Sequence, residues 1–381
     1  NVTTGVQNTF IGGLAGDALT TGERNTALGT YALSTETGGS RSTAIGWYSL
    51  LMQNVNGIAY NTAVGYNSGG AITTGTGHTI VGALAGDALT TGTANTIIGY
   101  TAGTNLETGS ENVIVGSGAM NSANGSESRN VAIGTNALYA MDSDGSNYNV
   151  AVGYDAGKAV TTGAENIIIG GLAGDALTTG DRSVAIGHYA LSAEDTGTRN
   201  VAVGYGTLTH LNYDGAGYNV AIGYVAGNDI TTGIQNTLIG GLAGDALTTS
   251  SNNVAIGYRA LSLENEGDRS VAIGYDSLRN QNTSGNVYNV AIGFQSGMSI
   301  TTAVDNTIMG SLAGDALTTG SDNVAIGKSA LSTEDTGSHN VAIGNEALQD
   351  LNYNGNGYNT AIGSRAGANV TTGTLNTIVG G

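Results

Sequence analysis

The chain has no cysteine and no proline, and only 10% of its 381 residues are charged. Without cysteine the fold owes nothing to disulfides or thiolate ligands, and redox state does not assign it to a compartment. Without proline a collagen triple helix is excluded, even though glycine supplies 64 residues. Basic residues are also scarce: 11 Lys and Arg stand against 29 Asp and Glu, a formal net charge of −18. Such a chain is repelled by phosphate backbones, so no nucleic-acid partner is expected. No apolar run approaches the roughly 20 residues of a membrane helix, and no membrane span is expected in this segment. The opening residues NVTTGVQNTF have neither the basic start nor the apolar core of a signal peptide, so any anchor or export signal is expected outside the segment.

What is present is 40% hydrophobic, mostly Ala, Val and Ile with Thr and Tyr beside them. That mixture suits pleated sheet better than helix or flexible linker. Internal repetition covers the whole chain. The motif is Asn, Thr or Val, two apolar residues, then Gly, as in NTFIG ending at Gly12, NTALG at Gly29 and NTAVG at Gly65, onward to NTIVG at Gly380. Twenty-two such marker glycines are spaced by 17 residues in most cases, by 19 at five places and by 18 once, between Gly116 and Gly134. A period so short holds one turn of a solenoid, so the expected fold is an all-β parallel β-solenoid, or β-roll, with one coil per 17–19 residues. Above it lies a super-repeat of 70 residues, or four coils, in which GLAGDALTT recurs from Gly13, Gly171 and Gly241; one extra coil falls within 82–170. One continuous repeat region over 1–381 is expected, and at about 4.8 Å per coil it measures roughly 100 Å.

Each coil reads as two short strands. Three residues after the marker stands a small residue (Ala15, Ala32, Ser49, Ser68), marking a crowded inner position. The next position is Leu or Met in some coils (Leu33, Leu50, Met120, Leu138) and Gly in others, and each Gly is followed three places later by a large residue such as Leu19, Ile72 or Leu89. One large side chain per coil, never two and never none, is the expected packing rule. The five 19-residue coils place their extra residues in a rim loop with a turn dipeptide, such as Asn56-Gly57 or Asp144-Gly145.

Repeated NVAIG and SVAIG, as at Asn130, Ser183, Asn323 and Asn340, followed by xxAL or xxAG, resemble the YadA-like head repeats of trimeric autotransporter adhesins and related phage tail-fibre β-roll repeats. The resemblance covers the entire chain. It implies a left-handed roll and a homotrimer whose three rolls bury one face against each other. The first residues, NVTTGVQNTFIGG, match the last, NVTTGTLNTIVGG, in phase, so a segment of a longer repetitive chain, or end-to-end stacking into a filament, is expected.

Chemistry is sparse. The ladder position four residues before each marker is Asn in 18 of 22 coils, the exceptions being Ser42, His78, Ser183 and Ser270. Stacked amides hydrogen bond along a fibre, a structural role. Asp142, Asp144 and Asn147 are similar to the start of a calcium loop, but the later bidentate acid is missing and four sister loops lack the pair of acids. The GDAL acids Asp17, Asp87, Asp175, Asp245 and Asp315 come once per super-repeat and are expected to solvate a turn. Thr73-Thr74 beside Thr90-Thr91, and Thr161-Thr162 beside Thr178-Thr179, raise an ice-binding array, but the next two coils of each block lack the pair. Asn1, Asn124, Asn282 and Asn369 lie in glycosylation sequons. Arg24, Arg41, Arg182 and Arg199 are expected to pair at the surface with acids such as Glu23, Asp181, Glu194 and Asp195. Histidines 78, 188, 210 and 339 form no metal spacing. Trp47, Tyr66, Tyr100, Tyr154, Tyr205 and Tyr224 follow markers, and a stacking ladder inside the fibre is favoured over a sugar-binding stripe. No nucleophile, base and orienting acid recur together, so no catalytic, cofactor or metal residues are assigned and no enzyme is expected. The expected function is a rigid extracellular spacer on a cell surface or virion. The alternative is an adhesin whose rod contacts host matrix or surface glycans; a carbohydrate-processing β-helix is disfavoured because it needs wider coils and a unique acidic cleft.

Overall fold

A computed structural model describes residues 2–381, and among them every regular element is a β-strand. The chain forms two compact units, one ending at Gly197 and one spanning Thr198–Gly381. Each is a parallel β-solenoid, as the repeat predicts. In the first, strands of three residues run from Thr9–Ile11 through Thr26–Leu28 and Thr43–Ile45 to Val184–Ile186. In the second they run from Val201–Val203 to Thr377–Val379. Each unit holds eleven such strands among the described residues, one for every marker glycine. Register is fixed by the repeat: Thr26 pairs with Thr43 at a step of 17, Thr43 with Thr62 at 19, and Val113 with Val131 at 18. The insertions therefore bulge into the rim and leave the ladder in phase. There Ser40 bridges Ile58, Ser128 bridges Ser146, and Gly267–Asp268 pairs with Gly285–Asn286.

Outside the rim bridges, only one three-residue segment on one side of each coil is strand. The expected second strand is a run of turns, because the chain there alternates into the left-handed region. In the coil around Gly134, Arg129 has φ 61°, Gly134 φ 134°, Asn136 φ 54° and Leu138 φ 49°. A left-handed residue costs about 1–2 kcal/mol when it is not glycine. The compensation is directional: each kink aims its N–H along the stack. Arg129 donates to the Ser110 carbonyl (3.0 Å), Asn136 to Ser117 (3.0 Å) and Leu138 to Ala156 (3.1 Å). The turns thus bond to the neighbouring coils much as the strands do.

The core is one layer of side chains per coil. The middle strand residue, the small residue and the large one are fully buried, as in Ala132, Ala137 and Leu138. The rule of one large residue per coil needs correcting in two ways. Three long coils bury two large apolar residues in the turn half, Leu138 with Met141, Leu208 with Leu211 and Leu348 with Leu351, because two added residues widen the coil. Four ordinary coils bury a glutamate at the equivalent place, Glu36, Glu194, Glu264 and Glu334, each with no exposed surface. A compensation also crosses the coil. A large residue at the strand centre (Ile80, Ile97, Ile168, Leu238, Ile308) accompanies glycine at the turn (Gly86, Gly103, Gly174, Gly244, Gly314), whereas Leu33, Leu138 and Leu331 accompany Ala27, Ala132 and Ala325. A Cβ on Gly103 would lie 3.2 Å from Ile114 Cδ1 and 3.5 Å from Ile97 Cδ1, so the isoleucines occupy the space that glycine leaves. The compensation is not universal: Ile114 goes with Met120, and Ala63, Ala151, Ala221, Ala291 and Ala361 go with a turn glycine, so layer volume varies between coils.

The marker glycine is dictated by a second constraint. A Cβ on Gly134 would meet the backbone carbonyl of Gly153 in the next coil, and its φ of 134° disfavours any side chain. Gly145, in a rim loop, has φ 100° but nothing within 4 Å of its would-be Cβ. Gly134→Ala is therefore expected to destabilise the protein by more than about 3 kcal/mol and Gly145→Ala by about 1–2 kcal/mol, measured by urea unfolding followed by circular dichroism. Equal losses would contradict the backbone-contact explanation.

Candidate functional site: the buried amide ladder and the outer rows

The ladder asparagines lie inside the coil with both ends of the amide engaged. Each Oδ1 accepts the backbone N–H of the next ladder residue: Asn95 from Asn112 (2.9 Å), Asn112 from Asn130 (3.0 Å), Asn130 from Asn149 (3.1 Å). Most Nδ2 groups donate to a carbonyl across the turn, Asn95 to Gly109 (2.8 Å), Asn149 to Gly163 (2.8 Å) and Asn166 to Gly180 (2.9 Å), whereas Asn130 and Asn340 donate to a neighbouring ladder Oδ1 and to Ser128 O or Ser338 O. The second unit repeats the scheme, with Asn236 bonded to Asn219 Oδ1 (3.0 Å) and Ser250 O (2.8 Å). Serine is too short to span the gap and aspartate has no donor, which explains the recurrence of Asn. A satisfied bond of this kind contributes about 1 kcal/mol, and an orphaned buried partner costs more.

His78 is the informative exception. Its Nε2 lies 2.8 Å from the Gly92 carbonyl, its Nδ1 accepts the Asn95 N–H at 3.2 Å, and its own N–H reaches Asn61 Oδ1 at 3.0 Å. A neutral imidazole thus supplies the donor and acceptor of an amide. Burial holds its pKa down at about 4, against partial opposition from those backbone bonds.

Charged groups missed by the sequence reading shape the rim. Glu36 accepts N–H groups from its own turn at Gly38 (3.1 Å) and Gly39 and from Val55 of the long coil above (3.1 Å). Glu264 does the same with Gly267 (2.8 Å) and Thr283 (3.3 Å), and Glu334 with Gly337 (2.6 Å) and Tyr353 (3.0 Å). Each carboxylate tethers a long rim loop to the coil below. The signal in the sequence is a glutamate seven residues after the marker, always in the coil before a 19-residue one.

The arginines pair differently from expectation. Arg24 does approach Glu23 (3.8 Å), but Arg182 bonds Glu165 (2.8 Å), Arg41 donates to the Tyr60 hydroxyl (2.6 Å), and Arg199 lies over the Tyr218 ring (5.7 Å). Asp181 instead accepts the Ala164 N–H (2.9 Å), and Glu194 turns inward to cap Gly197 (2.7 Å). Of the six expected marker-following aromatics, Trp47 stacks on Tyr66 (4.9 Å between centroids) and Tyr205 on Tyr224 (5.6 Å), with Tyr258, Tyr275 and Phe294 continuing the pattern, whereas among the described residues no ring stacks on Tyr100 or Tyr154. They stand on the outside of each unit, Tyr224 being 61% exposed. The stacked faces cover one another, leaving edges and hydroxyls outward.

The other motifs serve the stack. Asp144 Oδ1 accepts from the Ser126 N–H and hydroxyl (both 3.2 Å), and Asn147 Nδ2 reaches Ser143 O (3.3 Å), so the calcium-like loop is closed by hydrogen bonds. Among the described residues no group of three His, Asp or Glu has metal-binding geometry. Thr73, Thr90, Thr161 and Thr178 donate their hydroxyls to carbonyls one coil away (2.9–3.3 Å). Asn124, Asn282 and Asn369 are exposed, while Asn1 lies outside the described residues. Asp175, Asp245 and Asp315 are half-buried, each with one oxygen that has no hydrogen-bond partner. Burial pushes all three carboxyls up, Asp245 to about 6 with help from the Asp229 charge. The chain matches no protein-family model and no curated protein.

Opposite pH responses follow. His78 takes up fewer protons folded than unfolded between pH 6.5 and about 4, so the stability it contributes is lost as pH falls through that window. His78→Asn should remove this loss, up to about 3 kcal/mol, in urea titrations across the range. Asp245 holds its proton to higher pH when folded, so its contribution is complete below the ordinary carboxyl range and is lost as pH rises to about 6. Asp245→Asn should raise the melting temperature at pH 7 and leave it nearly unchanged at pH 3.5, by calorimetry.

Proposed function

We propose that this chain is a length of extracellular fibre shaft, on a cell surface or a virion, that acts as a rigid spacer and catalyses nothing. The observation that supports the reading is the outer strand face. The third residue of each strand points away from the core and is a bare aliphatic: Ile133 is 36% exposed, Ile169 37%, Ile239 37% and Met309 39%. With Thr or Val beside it in every coil but one, where Ile167 stands, this row makes an apolar stripe along each unit, and exposed stripes larger than a few hundred Å² mark association surfaces. Identical copies carry identical stripes at the same rise. A homotrimer of left-handed rolls, as in the adhesin and tail-fibre repeats that the sequence resembles, is the proposed assembly.

Light scattering after size exclusion tests the assembly. A mass of three chains is expected, and Ile133→Glu with Ile169→Glu should reduce it to one chain while circular dichroism is retained. A single-chain mass for the unaltered protein, or an undiminished mass for the variant, overturns the trimer.

Direct glycan adhesion is a second reading, favoured by the rim tyrosines. Tyr60 is 58% exposed, Tyr148 52% and Tyr218 52%, each beside an arginine that packs over its ring at 5.5–5.7 Å. Retention of the purified shaft on a glycan array would support adhesion by the shaft itself; no retention on any glycan or matrix protein leaves the spacer reading.

A further inference from the structure

The ladder residue beneath each of the five long coils and the residue that faces it from that coil come in matched pairs. Ser42 bonds Gln53 and Ser270 bonds Gln281, whereas at the same two buried positions the other three pairs are Asn130 with Met141, Asn200 with Leu211 and Asn340 with Leu351. Gln53 Nε2 donates to Ser42 Oγ and Glu36 Oε2, and its Oε1 accepts from Asn61 Nδ2, each at 2.9 Å. Gln281 makes the same three bonds, at the same length, with Ser270, Glu264 and Asn289. In the two leucine pairs the ladder amide itself supplies the acceptor: Asn359 bonds Asn340 Oδ1 through its N–H (3.3 Å) and Nδ2 (3.2 Å), and Asn219 bonds Asn200 Oδ1 at 3.1 and 3.3 Å; in the methionine pair Asn149 bonds Asn130 Oδ1 through its N–H (3.1 Å) and Met141 Sδ through its Nδ2 (3.8 Å). One amide thus occupies one buried compartment, contributed by either the lower coil or the upper one.

We infer that these pairs form a matching code that fixes which coil stacks on which. Asparagine beneath glutamine would force two amides into a space for one, an overpacked layer. Serine beneath leucine would leave one of the two N–H groups of the upper asparagine amide without an acceptor in a dry core, the other being held by the carbonyl across the turn, as Asn289 Nδ2 donates to Ala303 O (2.7 Å). A stack that skips a coil, otherwise tolerated because the backbone ladder is the same everywhere, would bring such mismatches together. Buried polar groups are well suited to excluding alternative registers in this way. The glutamate below is compatible with both pairings, since Glu334 beneath Leu351 has its second oxygen bonded to the Tyr353 N–H.

A double-mutant cycle in the full chain tests the code: Ser270→Asn, Gln281→Leu and the two together, with urea unfolding as the readout. Each single change is expected to raise the unfolding equilibrium constant tenfold or more, and the double change to return it within threefold of the parent. Recovery of folded double variant where a single variant fails to fold supports the code equally. Additive losses, a double variant that does not fold, or single changes without effect overturn it. The cycle Ser42→Asn with Gln53→Met repeats the test in the first unit and is read the same way.

Discussion

Within each unit every inner coil must bond to the coil on either side at one small rise, and the closure of those bonds determines the rest of the structure. In the strand half the backbone does this alone. In the turn half the chain reverses, and a reversing backbone ordinarily aims its N–H groups in several directions. Two devices keep them on the stacking direction: left-handed residues such as Arg129 and Leu138, and the asparagine side chain, which supplies an acceptor to one neighbour and a donor across the turn. Long-range hydrogen bonding on this scale is available only to a repetitive chain, since each residue must meet its own counterpart.

Stacking at that rise brings backbones so close that marker glycines cannot carry a side chain, and the core is left one layer thick. A thin core explains why volume is traded across many coils, Ile97 with Gly103 but Ala132 with Leu138. It also explains why polar groups are pulled inside. Glu36, Glu264 and Glu334 take up N–H groups that the wider rim loops would otherwise strand. Much apolar surface is left facing out, and the proposed assembly follows from that surplus.

The fold was legible because its cause is periodic. Marker glycines and ladder asparagines report backbone approach and amide bonding at every coil, so strand positions, parallel register and the placement of insertions could be read without a structure. The second strand was misread because small and apolar residues there look like pleat, while left-handed geometry at residues such as Tyr31 and Leu33 carries no compositional mark when glycine is absent. The buried glutamates were missed for a related reason. A charged residue in TETGG or TEDTG reads as a solvated turn, and its inward course depends on N–H groups from a coil nearly twenty residues away. The aromatic rows were legible as stacks, but their position on the outside of the chain required the coordinates.

Hydrogen exchange followed by NMR tests the central claim most directly. The account predicts slow exchange for the backbone amide of each ladder residue that stands above an asparagine, as Asn112 does above Asn95 and Asn359 above Asn340, with fast-exchanging rim residues such as Asp144 between them. Protection confined to a few coils, or rapid exchange at those ladder amides while the strand amides stay protected, would contradict it.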